Sequence, residues 1–172
     1  MKHQLDDLVV VLPGIMGSTL RDRNGAEVWG TSLGSIVKGV LTRGKAIKRL
    51  ELPEGIGDEP APDGVVATSL MPDIHVIPGI WSVSIGYEAM VRWFHDTFDV
   101  VEHDAAHPDR ISNFVQFPYD WRLSNRASAV AVQARVEPLL ERFRTQPGRA
   151  DAKVVFIGHS MGGLVARYYV DV

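Results

Sequence analysis

Apolar residues along this chain form two short uninterrupted runs, at Leu8–Leu12 and at residues 154–157, and a third run at residues 114–117 that Gln116 interrupts. Valine, isoleucine, leucine and phenylalanine dominate these runs. A short continuous apolar run is typical of a strand that is buried on both faces, as in a parallel sheet. The pattern therefore predicts a buried strand at the start of the chain, another near the end, and a third short strand in the middle.

Longer segments between and after these strands show helical spacing. Apolar residues at positions 87, 90, 91, 94 and 98 predict a helix with one buried face. Ser124 is a plausible N-cap for a second helix over residues 125–145, which Pro138 should kink or split. The expected buried face of this second helix consists of Ala127, Val130, Ala131 and Ala134. Because helices alternate with apolar strands, we expect an α/β fold with a parallel sheet covered by helices on both faces.

Residues 21–64 are interpreted as a cap or lid inserted within a single domain, of which residues 1–172 are expected to form the N-terminal part. Residues 33–41 carry an apolar stripe with helical spacing, and residues 31–50 contain five basic residues and no acid. Such a segment could contact an anionic lipid surface. The favoured alternative is a cap that packs over the core with solvated basic side chains. Residues 53–64, rich in proline, glycine and acids, predict a surface loop.

The composition is that of an ordinary globular protein. The chain has 172 residues, 45% of them hydrophobic and 23% charged, with a net charge of −3. This charge gives no reason to expect nucleic acid. The absence of cysteine excludes disulfides, thiol catalysis and thiolate metal sites, and we expect no cofactor and no metal. The apolar run before Pro13 is too short for a signal peptide or a membrane span, which favours a cytoplasmic location.

The sequence GHSMG at residues 158–162 joins the last predicted strand to a last predicted helix. A G-x-S-x-G pattern between a strand and a helix indicates a nucleophile elbow, with Ser160 as the nucleophile. Side chains at Gly158 and Gly162 would collide with the turn or with neighbouring strands, and Gly163 should let the helix approach the sheet. The N–H of Met161 is a candidate oxyanion donor. The alternative is a glycine-rich, phosphate-binding turn, although no G-x-G-x-x-G or Walker pattern is present.

The first strand runs directly into PGIMGSTL at residues 13–20. A glycine-containing loop at the carboxyl end of a buried strand exposes backbone N–H groups where ligands bind in open α/β sheets. The N–H of Ile15 is therefore a candidate second oxyanion donor. The alternative is a plain turn between a strand and a loop.

Three segments together resemble the lecithin:cholesterol acyltransferase family of α/β-hydrolases. They are PGIMGS at residues 13–18, PYDWR at 118–122 and GHSMGG at 158–163. The resemblance implies an α/β-hydrolase fold and a serine lipase, phospholipase or lipid acyltransferase that acts on a lipid or another ester. It assigns Ser160 as nucleophile and the N–H groups of Ile15 and Met161 as the oxyanion hole. For Asp120 and Arg122 a structural role is expected, through hydrogen bonds at the end of the middle strand.

The chain departs from this family pattern after the serine. In α/β-hydrolases an Asp or Glu and then a His follow the nucleophile, whereas this chain has only Asp171 and no histidine there. We therefore expect an N-terminal part of a longer hydrolase, truncated after the elbow helix, whose C-terminal part supplies the acid and the histidine. Upstream, His103 and His107 are the histidines that could in principle reach the site. The alternative function is a non-catalytic hydrolase scaffold that binds a ligand, or an inactive fragment.

Overall fold

The structure is a computed structural model that describes residues 2–30, 50–59, 61–73 and 86–171. The predicted stripe at residues 33–41 lies outside these residues. So do the basic side chains between residues 31 and 50 on which the lipid-surface hypothesis rests.

Nine elements are described, and they alternate in type after the first four strands. In chain order they are β1 (Leu8–Leu12), β2 (Ser18–Arg21), β3 (Glu27–Trp29), β4 (Val66–Leu70), α1 (Glu88–Thr97), β5 (Phe114–Gln116), α2 (Asn125–Arg144), β6 (Val154–Gly158) and α3 (Met161–Asp171).

Strands β5, β1 and β6 form a parallel sheet in that order, with β1 in the middle. Val10 lies opposite Val115 on one side and Phe156 on the other. All three strands predicted from the apolar segments are therefore confirmed. The burial expected of the last one is not, since Val155 of β6 is 42% exposed. Because the strands are parallel, their carboxyl ends meet at one edge of the sheet, and the loops that follow β1, β5 and β6 lie there.

Alternate residues of β1 face two separate hydrophobic clusters. Leu8, Val10 and Leu12 pack with residues of α2 and α3, whereas Val9 and Val11 pack with Phe94 of α1. All five residues of β1 are buried, as the continuous apolar run predicts. Helices thus cover both faces of the sheet, and the predicted α/β class is confirmed.

Helix α1 matches its predicted face, but α2 does not. Ser124 caps α2 as expected, and its side chain accepts a hydrogen bond from the Ala127 N–H. The predicted buried face is wrong, since Val130 is 55% exposed and Ala131 and Ala134 are also exposed. The residues that α2 buries are Ser128, Ala129, Val132, Val136, Leu139, Leu140 and Phe143. The large side chains in the second half of α2 decide which face packs on the sheet, and they outweigh the small residues near its start.

Pro138 does not split α2, which runs unbroken from Asn125 to Arg144. A proline inside a helix leaves the carbonyl four residues earlier without its donor. Here Pro138 and Ala134 are both exposed. Water can therefore bind the Ala134 carbonyl, and the helix continues past the proline.

Strands β3, β2 and β4 form a second, antiparallel sheet. This sheet includes the start of the predicted 21–64 insertion and the strand that follows it. The assignment of residues 21–64 as a cap stays a prediction. Within the described ranges, no helix has both the length and the apolar character needed to cross a bilayer.

Candidate active site

Ser160 lies in a tight turn between the carboxyl end of β6 and the start of α3. Its φ is 50°, in the left-handed region that is strained for a residue with a side chain. The Gly162 N–H donates to the His159 carbonyl at 2.8 Å, and the Gly163 N–H donates to the Ser160 carbonyl at 2.9 Å. Ser160 is exposed. The turn therefore presents the serine to solvent at the carboxyl edge of the parallel sheet.

Two glycines make this turn sterically feasible. A Cβ atom at Gly158 would lie 2.6 Å from the Gly163 nitrogen, and one at Gly162 would lie 2.3 Å from the Leu12 carbonyl oxygen. At Gly163 the nearest atom to an added Cβ would be the Gly158 oxygen, at 3.8 Å. Gly162 is thus the residue that lets α3 approach β1, and the expectation that Gly163 serves this purpose is wrong.

The loop after β1 packs directly against the serine turn. The Gly17 N–H donates to the Gly14 carbonyl at 3.0 Å, which closes a tight turn in which Met16 has a φ of 62°. A Cβ atom at Gly14 would lie 3.2 Å from the Ser160 Cβ and 3.0 Å from His159 Nδ1. The structure therefore brings Gly14, the residue before Ile15, to the side of Ser160.

Neither candidate oxyanion donor, Ile15 or Met161, has an N–H group bound to a protein acceptor among the described residues. Met161 is the first residue of α3, where N–H groups have no partner inside the helix and the helix dipole is positive. These groups can donate to an anion that develops next to Ser160.

Aromatic side chains from distant parts of the chain hold the loop after β1, and the sequence patterns did not single them out for this purpose. The Gly14 N–H donates to Tyr87 Oη at 2.8 Å, and Tyr119 Oη donates to the Pro13 carbonyl at 2.7 Å. Trp29 Nε1 donates to the Met16 carbonyl at 3.0 Å and Trp121 Nε1 to the Ser18 carbonyl at 3.3 Å. The one available signal was that tyrosine and tryptophan need a hydrogen-bond partner when they are buried, and this signal does not say where in the chain the partner lies.

The two tyrosines that contact this loop stay protonated at neutral pH. Burial raises the pKa of Tyr87, and the hydrogen bond from the Gly14 N–H offsets this only in part. Burial also raises the pKa of Tyr119, and the nearby Tyr87 raises it further. Each phenol therefore retains its proton as a hydrogen-bond donor.

The charged side chains of the PYDWR segment form an ionic cluster with Asp63. Arg122, with a side chain only 3% exposed, donates to both carboxylate oxygens of Asp120 at 2.9 and 2.7 Å and to Asp63 at 2.7 Å. Burial opposes the charge of Arg122, but the hydrogen bonds to Asp120 and Asp63 outweigh it and raise its pKa. These contacts tie the segment after β5 to the loop around Asp63, as expected for a structural pair.

No histidine side chain in the described ranges forms a hydrogen bond with Ser160. His103 lies at the opposite edge of the sheet, because its N–H donates to the carbonyl of Phe114, the first residue of β5. His107 Nδ1 is bound to Asp104 at 2.7 Å in the same loop. Both residues are therefore poor candidates for a base that acts on Ser160.

His159 lies next to Ser160 in the chain but is bound elsewhere. Its Nδ1 lies 2.9 Å from Tyr87 Oη, and the two rings pack edge to face. His95, on α1, pairs with Glu102 at 3.1 Å. Among the described residues there is also no group of three or more His, Asp or Glu side chains that could hold a metal ion.

Known proteins resemble this chain over most of its length. A family model described as "Lecithin:cholesterol acyltransferase" matches residues 74–172, more than half of the chain. The uncharacterized protein YJR098C of Saccharomyces cerevisiae is 27% identical over 165 residues, which cover 95% of this chain and 21% of that protein. A chain in the crystal structure of the Tle4–Tli4 complex is 21% identical with a TM-score of 0.52, over 99% of this chain and 43% of that one. The chain thus spans about a fifth of the yeast relative and less than half of the solved chain, with which it shares its fold.

Proposed function

The chain belongs to the lecithin:cholesterol acyltransferase family, and on that basis we propose that it acts on lipid esters through a covalent acyl-enzyme at Ser160. Its fold is of the α/β-hydrolase type. The observation that carries the proposal is the strained Ser160 turn at the carboxyl edge of the sheet, with the Gly14 loop packed against it. Strain of this kind is typical of functional sites, because a residue without a role can avoid it.

The proposed reaction begins when Ser160 Oγ attacks the carbonyl carbon of an ester. The N–H groups of Ile15 and Met161 stabilise the negative charge that develops on the carbonyl oxygen. Collapse of the tetrahedral intermediate breaks the ester bond, releases the alcohol and leaves the acyl group on Ser160. Water then yields a fatty acid, or a second alcohol yields a new ester.

The attack requires a base that accepts the Ser160 proton and later returns it to the leaving alcohol. Since no described histidine side chain forms a hydrogen bond with Ser160, we propose that this base lies outside the described residues. The same base first gives this proton to the leaving alcohol. It then accepts a proton from the water or acceptor alcohol that attacks the acyl-enzyme.

Covalent labelling tests the assignment of Ser160. A fluorophosphonate probe should label the full-length protein at Ser160, and Ser160→Ala should abolish both labelling and ester hydrolysis. Ser69→Ala, which removes an exposed hydroxyl on β4, should change neither. If Ser160→Ala labels and hydrolyses esters like the parent, the assignment is wrong.

A second candidate function is a non-catalytic scaffold that binds a lipid or a protein. The observation in its favour is the lack of any hydrogen bond between Ser160 and a histidine side chain in the described ranges. A folded full-length protein that binds lipid vesicles but never reacts with fluorophosphonate would support this alternative. The unpaired N–H groups beside a strained serine favour catalysis, because a binding scaffold has no use for them.

A further inference from the structure

Two tyrosines hold the two polar atoms of a single peptide unit in the loop after β1. Tyr119 Oη donates to the Pro13 carbonyl at 2.7 Å, and the Gly14 N–H donates to Tyr87 Oη at 2.8 Å. This carbonyl and this N–H belong to the same planar peptide group. We propose that Tyr87 and Tyr119 are positioning residues that fix this plane and thereby aim the Ile15 N–H at the oxyanion. The proposal rests on the proposed function of the site.

The next peptide unit shows why the plane matters. It consists of the Gly14 carbonyl and the Ile15 N–H, and its carbonyl accepts from the Gly17 N–H at 3.0 Å. In a trans peptide the N–H points opposite to the carbonyl, so this hydrogen bond leaves the Ile15 N–H facing away from the turn. Only the two dihedral angles of Gly14 join the two planes. Because glycine has wide conformational freedom, the first plane needs support from outside the loop.

The hydroxyl of Tyr87 also joins the loop to the serine turn. Since its oxygen accepts from the Gly14 N–H, its own proton is free for the second neighbour, His159 Nδ1 at 2.9 Å. With Nδ1 as the acceptor, the His159 ring takes the tautomer that carries its proton on Nε2. The hydrogen bonds that link Gly14, Tyr87 and His159 thus fix the loop after β1 relative to the residue that precedes Ser160.

Packing around Tyr87 shows that the turn is built around this phenol. A Cβ atom at Gly17 would lie 2.7 Å from Tyr87 Oη and 2.8 Å from Pro13 Cβ. A side chain at Gly17 would therefore displace the hydroxyl. Tyr87 itself is anchored by its N–H, which donates to the Met71 carbonyl at 3.2 Å.

The test compares Tyr87→Phe, Tyr119→Phe and the double variant in the full-length protein, with a soluble short-chain ester. Each single substitution should lower kcat by roughly 10- to 100-fold, less than or similar to the loss of an oxyanion donor itself. KM should stay within about twofold, because the donor acts on charge that exists only in the transition state. The fold-decrease in kcat of the double variant should be smaller than the product of the two single decreases, since either substitution already frees the same peptide plane.

Two controls separate positioning from stability. Tyr168→Phe removes a hydroxyl from an exposed ring on α3 and should leave kcat unchanged. Val136→Ala creates a cavity in the core and should lower Tm without lowering kcat at temperatures well below Tm. If both tyrosine variants keep kcat within twofold of the parent, the proposal is overturned.

A spectroscopic measurement tests the link to His159 without any need for activity. The side-chain ¹⁵N shifts of His159 should show an unprotonated Nδ1 and a protonated Nε2 in the parent and in Tyr119→Phe. Tyr87→Phe should change the chemical shift of Nδ1, because Nδ1 loses the hydroxyl that donates to it. Unchanged shifts in Tyr87→Phe would overturn the link. If Ser160→Ala retains activity, the proposed function fails, while the ¹⁵N shifts still decide the role of Tyr87.

Discussion

At the residue scale, the strongest dependence of stability on one charged side chain is expected at Arg122. Its side chain is 3% exposed and faces Asp120, which is 9% exposed. Arg122→Met should lower the free energy of unfolding by roughly 3–5 kcal/mol, because it leaves a buried carboxylate without its partner. Urea denaturation measures the change. Arg167→Met removes an exposed partner of Asp171 and should change stability by less than about 1 kcal/mol. Equal losses in the two variants would contradict this account.

The ionic cluster of Arg122, Asp120 and Asp63 also predicts how the free energy of unfolding depends on pH. The hydrogen bond from Arg122 lowers the pKa of Asp63 below its ordinary value, although burial partly opposes it. A carboxyl group with a lowered pKa stabilises the fold above its ordinary pKa of about 3.9, and this contribution is lost as the pH falls through the lowered value. Asp63→Asn should therefore flatten the fall in unfolding free energy below about pH 4. Asp109→Asn, at a fully exposed side chain, serves as the control. If the unfolding free energy of Asp63→Asn falls as steeply with pH as that of the parent, the Asp63–Arg122 pair does not stabilise the fold.

Residues that act on the loop after β1 show the limit of sequence reasoning at this scale. The residue types and their order indicated Ser160, Ile15 and Met161 as candidates, since a G-x-S-x-G elbow and a P-G loop are local patterns. Tyr87 and Tyr119 act over separations of 73 and 106 residues. No local pattern states which backbone group a phenol will bind after the chain folds.

At the element scale, the contact of α3 with β1 depends on one glycine and not on its neighbour. Gly162→Ala places a Cβ atom 2.3 Å from the Leu12 oxygen, so it should push α3 away from β1 and destabilise the protein by several kcal/mol. Gly163→Ala meets its nearest atom at 3.8 Å. It should be neutral or stabilise α3 by up to about 1 kcal/mol, as alanine does in helices.

Thermal unfolding of both variants measures this difference, and fluorophosphonate labelling shows whether the turn survives. Gly162→Ala should lose labelling, whereas Gly163→Ala should retain it. Similar Tm values for the two variants would contradict the assigned role of Gly162.

The strands were easier to predict than the buried face of the longest described helix. Leu8–Leu12 is apolar at every position, so both of its faces must be buried whatever the topology. In α2 apolar and small residues occur on more than one side, and Val130 remains 55% exposed. The side that packs depends on the shape of the sheet beneath Leu139, Leu140 and Phe143. The spacing of residues along α2 gives no information on that shape.

At the scale of the whole molecule, the described residues hold a proposed nucleophile and two candidate oxyanion donors but no base in contact with Ser160. A serine without its base keeps its proton and loses about four to six orders of magnitude in turnover. The 172-residue chain by itself should therefore hydrolyse a p-nitrophenyl ester no faster than its Ser160→Ala variant. Rapid hydrolysis that depends on Ser160 would instead place the base within these residues.

The chain by itself should also associate with other copies. Val155 on β6 is 42% exposed, and Leu164 and Val170 on α3 are 54% and 73% exposed. These groups lie beside an edge of β6 that no described strand covers, and exposed apolar groups at such an edge promote pairing between chains. Sedimentation velocity at several concentrations should show a growing share of larger species. A monomer at all concentrations would contradict this expectation.

The position of β6 at the rim of the parallel sheet has a consequence for amide hydrogen exchange. Among the described strands β6 pairs only with β1, and in a parallel pair alternate residues of a strand donate to one neighbour. The His159 N–H donates to the Leu12 carbonyl, so by the same alternation the amides of Val155 and Ile157 point to β1 and that of Phe156 points away. Exchange should therefore be slow at Ile157 and fast at Phe156. The exchange rate of the Phe156 amide thus shows whether another strand has paired with the outer edge of β6, because such pairing would slow it.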